Sequence, residues 1–399
     1  MAGNMFAGKH GVNPRRHSAD SGDAREGVLE LANLMTNPVV HPRDLPIISR
    51  GKPKDSIGAL NISLHQCARD GDESNMWILL KSLGANVRKK INQYDEDSLT
   101  PLHYAARYNH LSVVKLLVEA GADVHAAGED KITPLHHAAR YRRERITRRK
   151  PGLSIQTGSH VGLNGGPSSE QLDRDPDGSI VSYLVNKGAN INATDIYGQT
   201  PLHFAAMRGN EVACSNLLFF KNKIKIEAND NQGYTPLHTA AIHNHVEIAR
   251  MLIEAGASLM CRDKELCTPL HHAASEGNLA LVQLLLDAGA NSQEGWITLT
   301  EMISATEIEM SSPLHVAVDN GHYEVVKLLL EKCADVNKPR KHFMYPLHLA
   351  AQSGDVRIAT LLVENHARID ALNDDQATAL HRAAALNHVQ VVEFLVERY

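Results

Sequence analysis

"TPLHYAAR" occupies Thr100–Arg107 and "TPLHHAAR" occupies Thr133–Arg140. Their histidines, His103 and His136, stand 33 residues apart. The pattern returns around His203, His238, His271, His315, His348 and His381, and in a degraded first copy, "ISLHQCA", around His65. The spacing of 33 also separates His238 from His271, His315 from His348 and His348 from His381. Each copy reads as the start of a short helix. Thr supplies a hydroxyl that accepts a bond from an orphaned helical N–H, and Pro follows where its missing donor costs nothing. Leu and the Ala pair then make a small-residue face that lets the next helix approach closely. A second helix is written in "LSVVKLLVEAGAD" (Leu111–Asp123), where Val113, Leu116 and Leu117 form one apolar stripe. Gly121 is placed to end it in the left-handed region. Polar stretches such as "DNQG" (Asp230–Gly233) carry turn chemistry for a β-hairpin finger before the next copy.

A period of 33 with T-P-L-H is the ankyrin signature. The sequence resembles the ankyrin-repeat family over roughly residues 56–399, with about nine copies. The implied fold is an all-α repeat solenoid of helix-turn-helix units with β-hairpin fingers. Stacked neighbours bury apolar faces that no unit buries alone.

The pattern breaks in two places. Arg142–Asp177 lies between the two helices of one unit and exceeds the regular spacing by 34 residues. It is basic, then rich in Gly, Ser and Pro, and finally acidic, so it reads as a looped insertion dispensable for folding. A second insertion falls within "SQEGWITLTEMISATEIEM" (Ser292–Met310), in a finger longer by 11 residues. It carries Trp296, read either as a recognition anchor or as a cover for a neighbouring finger. Residues 1–55, rich in Pro, Gly and charge, read as a flexible N-terminal region, apart from a short helical pattern at Gly27–Met35. Tyr399 stands inside a repeat unit, so a severed longer array and an end covered by a partner are both open.

Composition excludes several classes. A net charge of −5 gives no global basic field for nucleic acid or anionic membrane. Five cysteines, an odd number with no C-x-x-C pair, indicate neither a disulfide framework nor a zinc ribbon and suit a reduced, cytoplasmic setting. No stretch approaches the roughly 20 apolar residues of a membrane span. Nine of the 23 histidines are motif residues, and His110, His245, His322 and His388 occupy the turn between helices. Their regular spacing assigns them to capping and turns rather than to metal. Cys261 and Cys267 read as small packing residues. No catalytic, nucleotide or zinc-protease motif is present, so neither enzyme nor cofactor is expected. "RYRRERITRRK" (Arg140–Lys150) is a solvated basic loop, or a lipid-binding or nuclear-address segment.

In ankyrin arrays, partners dock on the concave side, against finger tips and residues following the Ala pair. The resemblance therefore implies protein-binding candidates at Glu96, Asp97, Arg107, Tyr108, Ile196, Tyr197, Met207, Arg208, Tyr234, Ile242, His243, Lys264 and Glu265, and the long finger adds Trp296. More narrowly, "YDEDSLTPLHYAARYNHLSVVKLLVEAGADV" with "GEDKITPLHHAARY" resembles the cytosolic N-terminal array of ankyrin-subtype transient receptor potential cation channels. That resemblance implies a protein-interaction scaffold at the cytosolic face of the plasma membrane, joined to a pore domain outside this sequence and assembled as a homotetramer. The other reading is an independent soluble adaptor.

Overall fold

The structure, a computed structural model, describes residues 62–141 and 179–398, all within one compact unit, Asn61–Tyr399. The expected N-terminal region and the insertion at 142–177 lie outside the described residues.

Among the described residues, nine helix pairs follow one another. They run from Leu64–Asp70 with Glu73–Leu83 to Ala379–Ala385 with Val389–Arg398. Numbered in order, the third repeat pairs Pro134–Arg140 with Ile180–Asn186. First helices stack on first helices of the next repeat, and second helices on second helices. Leu102, Ala105 and Ala106 of the second repeat are fully buried, and so are Val113, Val114 and Leu117. The expected stripe of its second helix is therefore wider than the sequence suggested. That helix packs against its own partner and against the second helix of the first repeat, and Val114 is buried while Leu116 is only half-buried.

The motif histidines close the first turn, and most of them also join the repeats. Thr100 donates its backbone N–H to Nδ1 of His103 at 3.0 Å, and its side chain completes a capping box. An N–H can only meet a lone pair, so the imidazole proton sits on Nε2. That nitrogen donates to the carbonyl of Ile132 in the next finger at 3.1 Å. The same staple runs from His136 to Gln199, from His203 to Tyr234, from His238 to Cys267, from His271 to Ser311 and from His348 to Ala377. The turn histidines reach the other way. Nε2 of His110, His245, His322 and His388 bonds the carbonyls of Arg69, Met207, Ser275 and Gln352 in the preceding repeats. Asn210, Asn278 and Asp355 cap the second helices of the repeats between them.

The fingers are tighter than hairpins with strands. In each of three consecutive fingers two backbone bonds close the turn: Asp195 N–H donates to Gln199 O, Asp230 N–H to Tyr234 O and Asp263 N–H to Cys267 O, while Gly198, Gly233 and Leu266 N–H donate back to the carbonyls of those aspartates. Five residues leave no room for a ladder, and among the described residues the only bridge pairing is Arg340 with Met344. The long finger is also different from a loop. Its extra residues form a helix, Trp296–Ser304, that buries Leu299, Met302 and Ile303. The preceding helix runs on through Gly289 to Ala290. A Cβ on Gly289 would lie 2.6 Å from Sδ of Met302, so this glycine permits the close approach.

Candidate protein-interaction surface

Finger tips are linked edge to edge. Ile196 N–H donates to Asp130 O, Asn231 N–H to Tyr197 O, Lys264 N–H to Gln232 O and Ile308 N–H to Glu265 O. Lys341 N–H to Glu309 O and Asp374 N–H to His342 O continue the row. This chain of bonds fixes the tips of successive fingers in a line. In the fingers that open with Asp95, Asp195, Asp230, Asp263 and Glu307 an acidic side chain holds the turn. Oδ1 of Asp195 accepts from Tyr197 and Gln199 N–H, and Oδ1 of Asp263 accepts from Glu265 and Cys267 N–H. These are Asx-type turns.

The finger candidates fall on that row. Glu96, Asp97, Lys264 and Glu265 are exposed, Ile196 is 43% exposed, and Tyr197 and Tyr234 are half-buried. Asp97 is engaged, accepting from the Tyr104 hydroxyl at 3.1 Å. Tyr234 sets its ring edge-to-face with His272, 5.4 Å between centroids, and burial raises its phenol above the ordinary range. The helix-end candidates form a second row. Arg107 is exposed and its guanidinium lies 5.8 Å from the centre of the Tyr108 ring, which stacks on Tyr104. Met207, Arg208, Ile242 and His243 are half-buried. Burial, with His245 and Arg208 beside it, pushes His243 down to about 4. Trp296 does not share in the packing of its helix: it is 67% exposed, and Ile297 beside it is 57% exposed.

The fourth finger position has positive φ throughout, and glycine suits it at Gly198 and Gly233. Three consecutive fingers place Leu266, Met310 and Phe343 there instead, each exposed. Sequence reasoning passed over these three because it counted tip residues and not backbone conformation. It also passed over Arg140, read as the start of the basic loop. The structure places Arg140 at the end of the first helix of the third repeat.

One cluster has ligand-bearing side chains. His238, Asp263 and His272 bring potential ligand atoms within 4.8 Å of one another. The bonding in place uses them differently. Nε2 of His238 carries a proton and donates to Cys267, so it has no lone pair for a cation. Nε2 of His272 pairs with Oδ2 of Asp263 at 2.8 Å. Cys261 points its thiol at the Ser258 carbonyl, 3.2 Å away, and burial pushes the thiol up to about 12. All five cysteines are free.

The model of the family described as "Ankyrin repeats (3 copies)" matches residues 64–149, 174–263, 257–340 and 314–399. The chain belongs to the ankyrin-repeat family. Its fold is a protein-interaction fold and not a catalytic one. A "Transient receptor potential cation channel subfamily A member 1 homolog" of Caenorhabditis elegans is 30% identical over 158 residues, covering 37% of this chain and 11% of that protein. "Putative palmitoyltransferase ZDHHC13" of Danio rerio is 28% identical over 201 residues, 47% of this chain and 31% of that protein. Human "Rabankyrin-5" is 29% identical over 169 residues, 40% of this chain and 14% of that protein. The matched stretch thus spans less than a third of each of these relatives. No helix among the described residues is long and apolar enough to cross a membrane.

Proposed function

We propose that this ankyrin array binds protein partners along the finger row and the adjoining helix ends, and that it is the cytosolic array of a TRPA-like cation channel. The observation that carries the binding reading is the division of labour among the polar residues. Most of the motif histidines and all four turn histidines bond between repeats, whereas Ile196, Lys264, Glu265 and Arg107 present side chains to solvent on the two rows. Exposed Arg and aromatic residues are the types that dominate interface energy. The channel reading draws on the 30% identity to the nematode TRPA1 homologue, and in that setting the array would recur in a homotetramer at the cytosolic face of the plasma membrane.

A soluble adaptor is the second reading. It is favoured by the similarity to Rabankyrin-5 and by 43% identity over 54 residues to human "Ankyrin repeat domain-containing protein 49". Reading the transcript beyond the Tyr399 codon separates the two. Further repeats followed by apolar runs of membrane length support the channel, and a stop codon in every transcript supports the adaptor.

A further inference from the structure

Five second helices carry an acid at their ninth residue. It is Glu119 in the second repeat, Glu254 in the fifth, Asp287 in the sixth, Glu331 in the seventh and Glu364 in the eighth. In the fourth repeat, whose second helix is Glu211–Phe219, that place is taken by Phe219. Its side chain is 69% exposed, and the ring of Phe220 meets it edge-on with 5.6 Å between centroids. Val212, 53% exposed, stands seven residues earlier and therefore on the same side of the helix. Single exposed apolar residues are ordinary. The loop that follows gives Phe219 its meaning.

His203 and His238 stand 35 residues apart, two more than the regular 33. A bridge from the preceding repeat locates the extra residues. Asn192 donates to Lys223 O at 2.7 Å and accepts from Lys225 N–H at 2.9 Å. Asn92 bonds Gly121 O and Asp123 N–H in the same way. Lys223 thus holds the place of Gly121, but it follows Phe219 by four residues where Gly121 follows Glu119 by two. The lengthened loop reads Lys221, Asn222, Lys223, Ile224, Lys225. Ile224 is buried, and all three lysines are exposed. None of the ion pairs among the described residues engages these lysines. Glu227, the next acid along the chain, turns to the following repeat and accepts from Ser258 N–H at 2.8 Å.

We propose that Phe219 and the lysines of loop 221–225 dock on an anionic membrane surface, the ring entering the headgroup boundary and the ammonium groups meeting the acidic lipids. An exposed aromatic beside a cluster of lysines has the make-up of an interfacial anchor. The choice of cation favours lipid over protein. Protein interfaces are enriched in Arg and depleted in Lys, whereas at a membrane surface the Lys stem lies along apolar surface and its head stays in water. The net charge of −5 does not oppose this, because charges farther away than a Debye length of about 8 Å are largely screened. The bridge from Asn192 holds the loop backbone in place, so its shape is set before any membrane is met. This site does not involve the finger row.

The test is sedimentation of the full chain with vesicles of phosphatidylcholine alone and of phosphatidylcholine with 30 mol% phosphatidylserine, the latter fraction being chosen at roughly the anionic content of a cytoplasmic leaflet. Binding is expected to the second kind only, and to weaken as salt rises. Each lysine near such a surface is worth about fivefold in affinity, so Lys223→Gln should weaken binding about fivefold and the change of all three to Gln by much more. Phe219→Glu installs the residue type that five other repeats hold at this place, so it should abolish binding and leave the melting curve unchanged. Phe219→Trp, which keeps an aromatic suited to the interface, should bind as the natural chain does. Phe343→Glu, at an exposed phenylalanine of a finger, should leave vesicle binding unchanged. Equal binding to both kinds of vesicle, no binding to either, or undiminished binding by Phe219→Glu would overturn the proposal. So would a soluble poly-Glu peptide that binds as tightly as the acidic vesicles and loses its affinity on Phe219→Glu, which would make the occupant an acidic protein segment.

Discussion

Asp195 and Asp263 hold the same position in two fingers and should respond to the same substitution with opposite signs. Both are buried, 4% and 5% exposed, and both use Oδ1 to fix the turn. They differ at the other oxygen. Oδ2 of Asp263 pairs with His272 at 2.8 Å, whereas Oδ2 of Asp195 is buried without a partner. The residue nine positions on decides this, being His272 in one case and Phe204 in the other. Burial, with Asp130 and Asp230 nearby, outweighs the turn N–H bonds and pushes the Asp195 carboxyl up to about 6. Burial also pushes on Asp263, but the bond and charge of His272 overcome it and hold that carboxyl below the ordinary range. A shift of about two pH units corresponds to roughly 3 kcal/mol, and partial solvation at the finger edge reduces it to about 1–2 kcal/mol. Asp195→Asn keeps the Oδ1 acceptor and removes the charge. It should raise the melting temperature at pH 7.5 by about 2–4 °C per kcal/mol. The sign follows from linkage: a raised folded pKa means the charged form costs stability above pH 6, and that cost disappears below about 3.8. The gain from Asn should therefore shrink between pH 6 and pH 4. Asp263→Asn should lower stability by about 1.5–3 kcal/mol, the range for a lost charge-assisted bond. Melting curves of both variants decide the matter. Shifts of the same sign, or a gain at Asp195 that does not depend on pH, would refute the reasoning.

Three further outcomes are expected. Leu299→Ala should cost about 2–5 kcal/mol because Leu299 anchors the inserted helix, whereas Trp296→Ala should stay within about 0.5 kcal/mol; the reverse order in denaturant titrations would return Trp296 to the role of a cover. Burial pushes His103, His136, His238 and His271 down to about 4. The unfolded chain therefore takes up protons first, and stability should be lost as pH falls from 6.5 towards 4, by up to about 1.4 kcal/mol per histidine and pH unit; acid titration of the unfolding free energy with no loss above pH 4.5 would contradict this. Among the described residues the ninth repeat packs on the eighth and exposes Leu386, Val389 and Val396, so in the isolated 399-residue chain its amides should exchange faster than those of Thr235–Gly256; equal protection would contradict this.

The sequence made the repeat legible because each T-P-L-H copy states a cap, a helix start and a staple at once. Spacing assigned the motif and turn histidines to capping and turns, but not their bonds to the neighbouring repeats. The inserted helix was legible in principle, since Leu299, Met302 and Ile303 have helical spacing. It was hidden by being counted as finger residues after a glycine. Which finger aspartates find a partner was not legible, because the pairing joins residues nine apart across a turn and a helix start. Arg107 and Arg208 stood out as candidates by register. Arg140 did not, because the basic run that follows it masked the helix end.

The central claim is that partners meet the finger row, and site-specific photo-crosslinking tests it most directly. A benzophenone amino acid placed at Ile196, at Lys264 or, on a second helix, at exposed Glu247 is irradiated in cells, and adducts are read by mass spectrometry. The account predicts a shared set of protein adducts at Ile196 and Lys264 that is absent at Glu247. Adducts concentrated at Glu247, or none at either finger position, would contradict it.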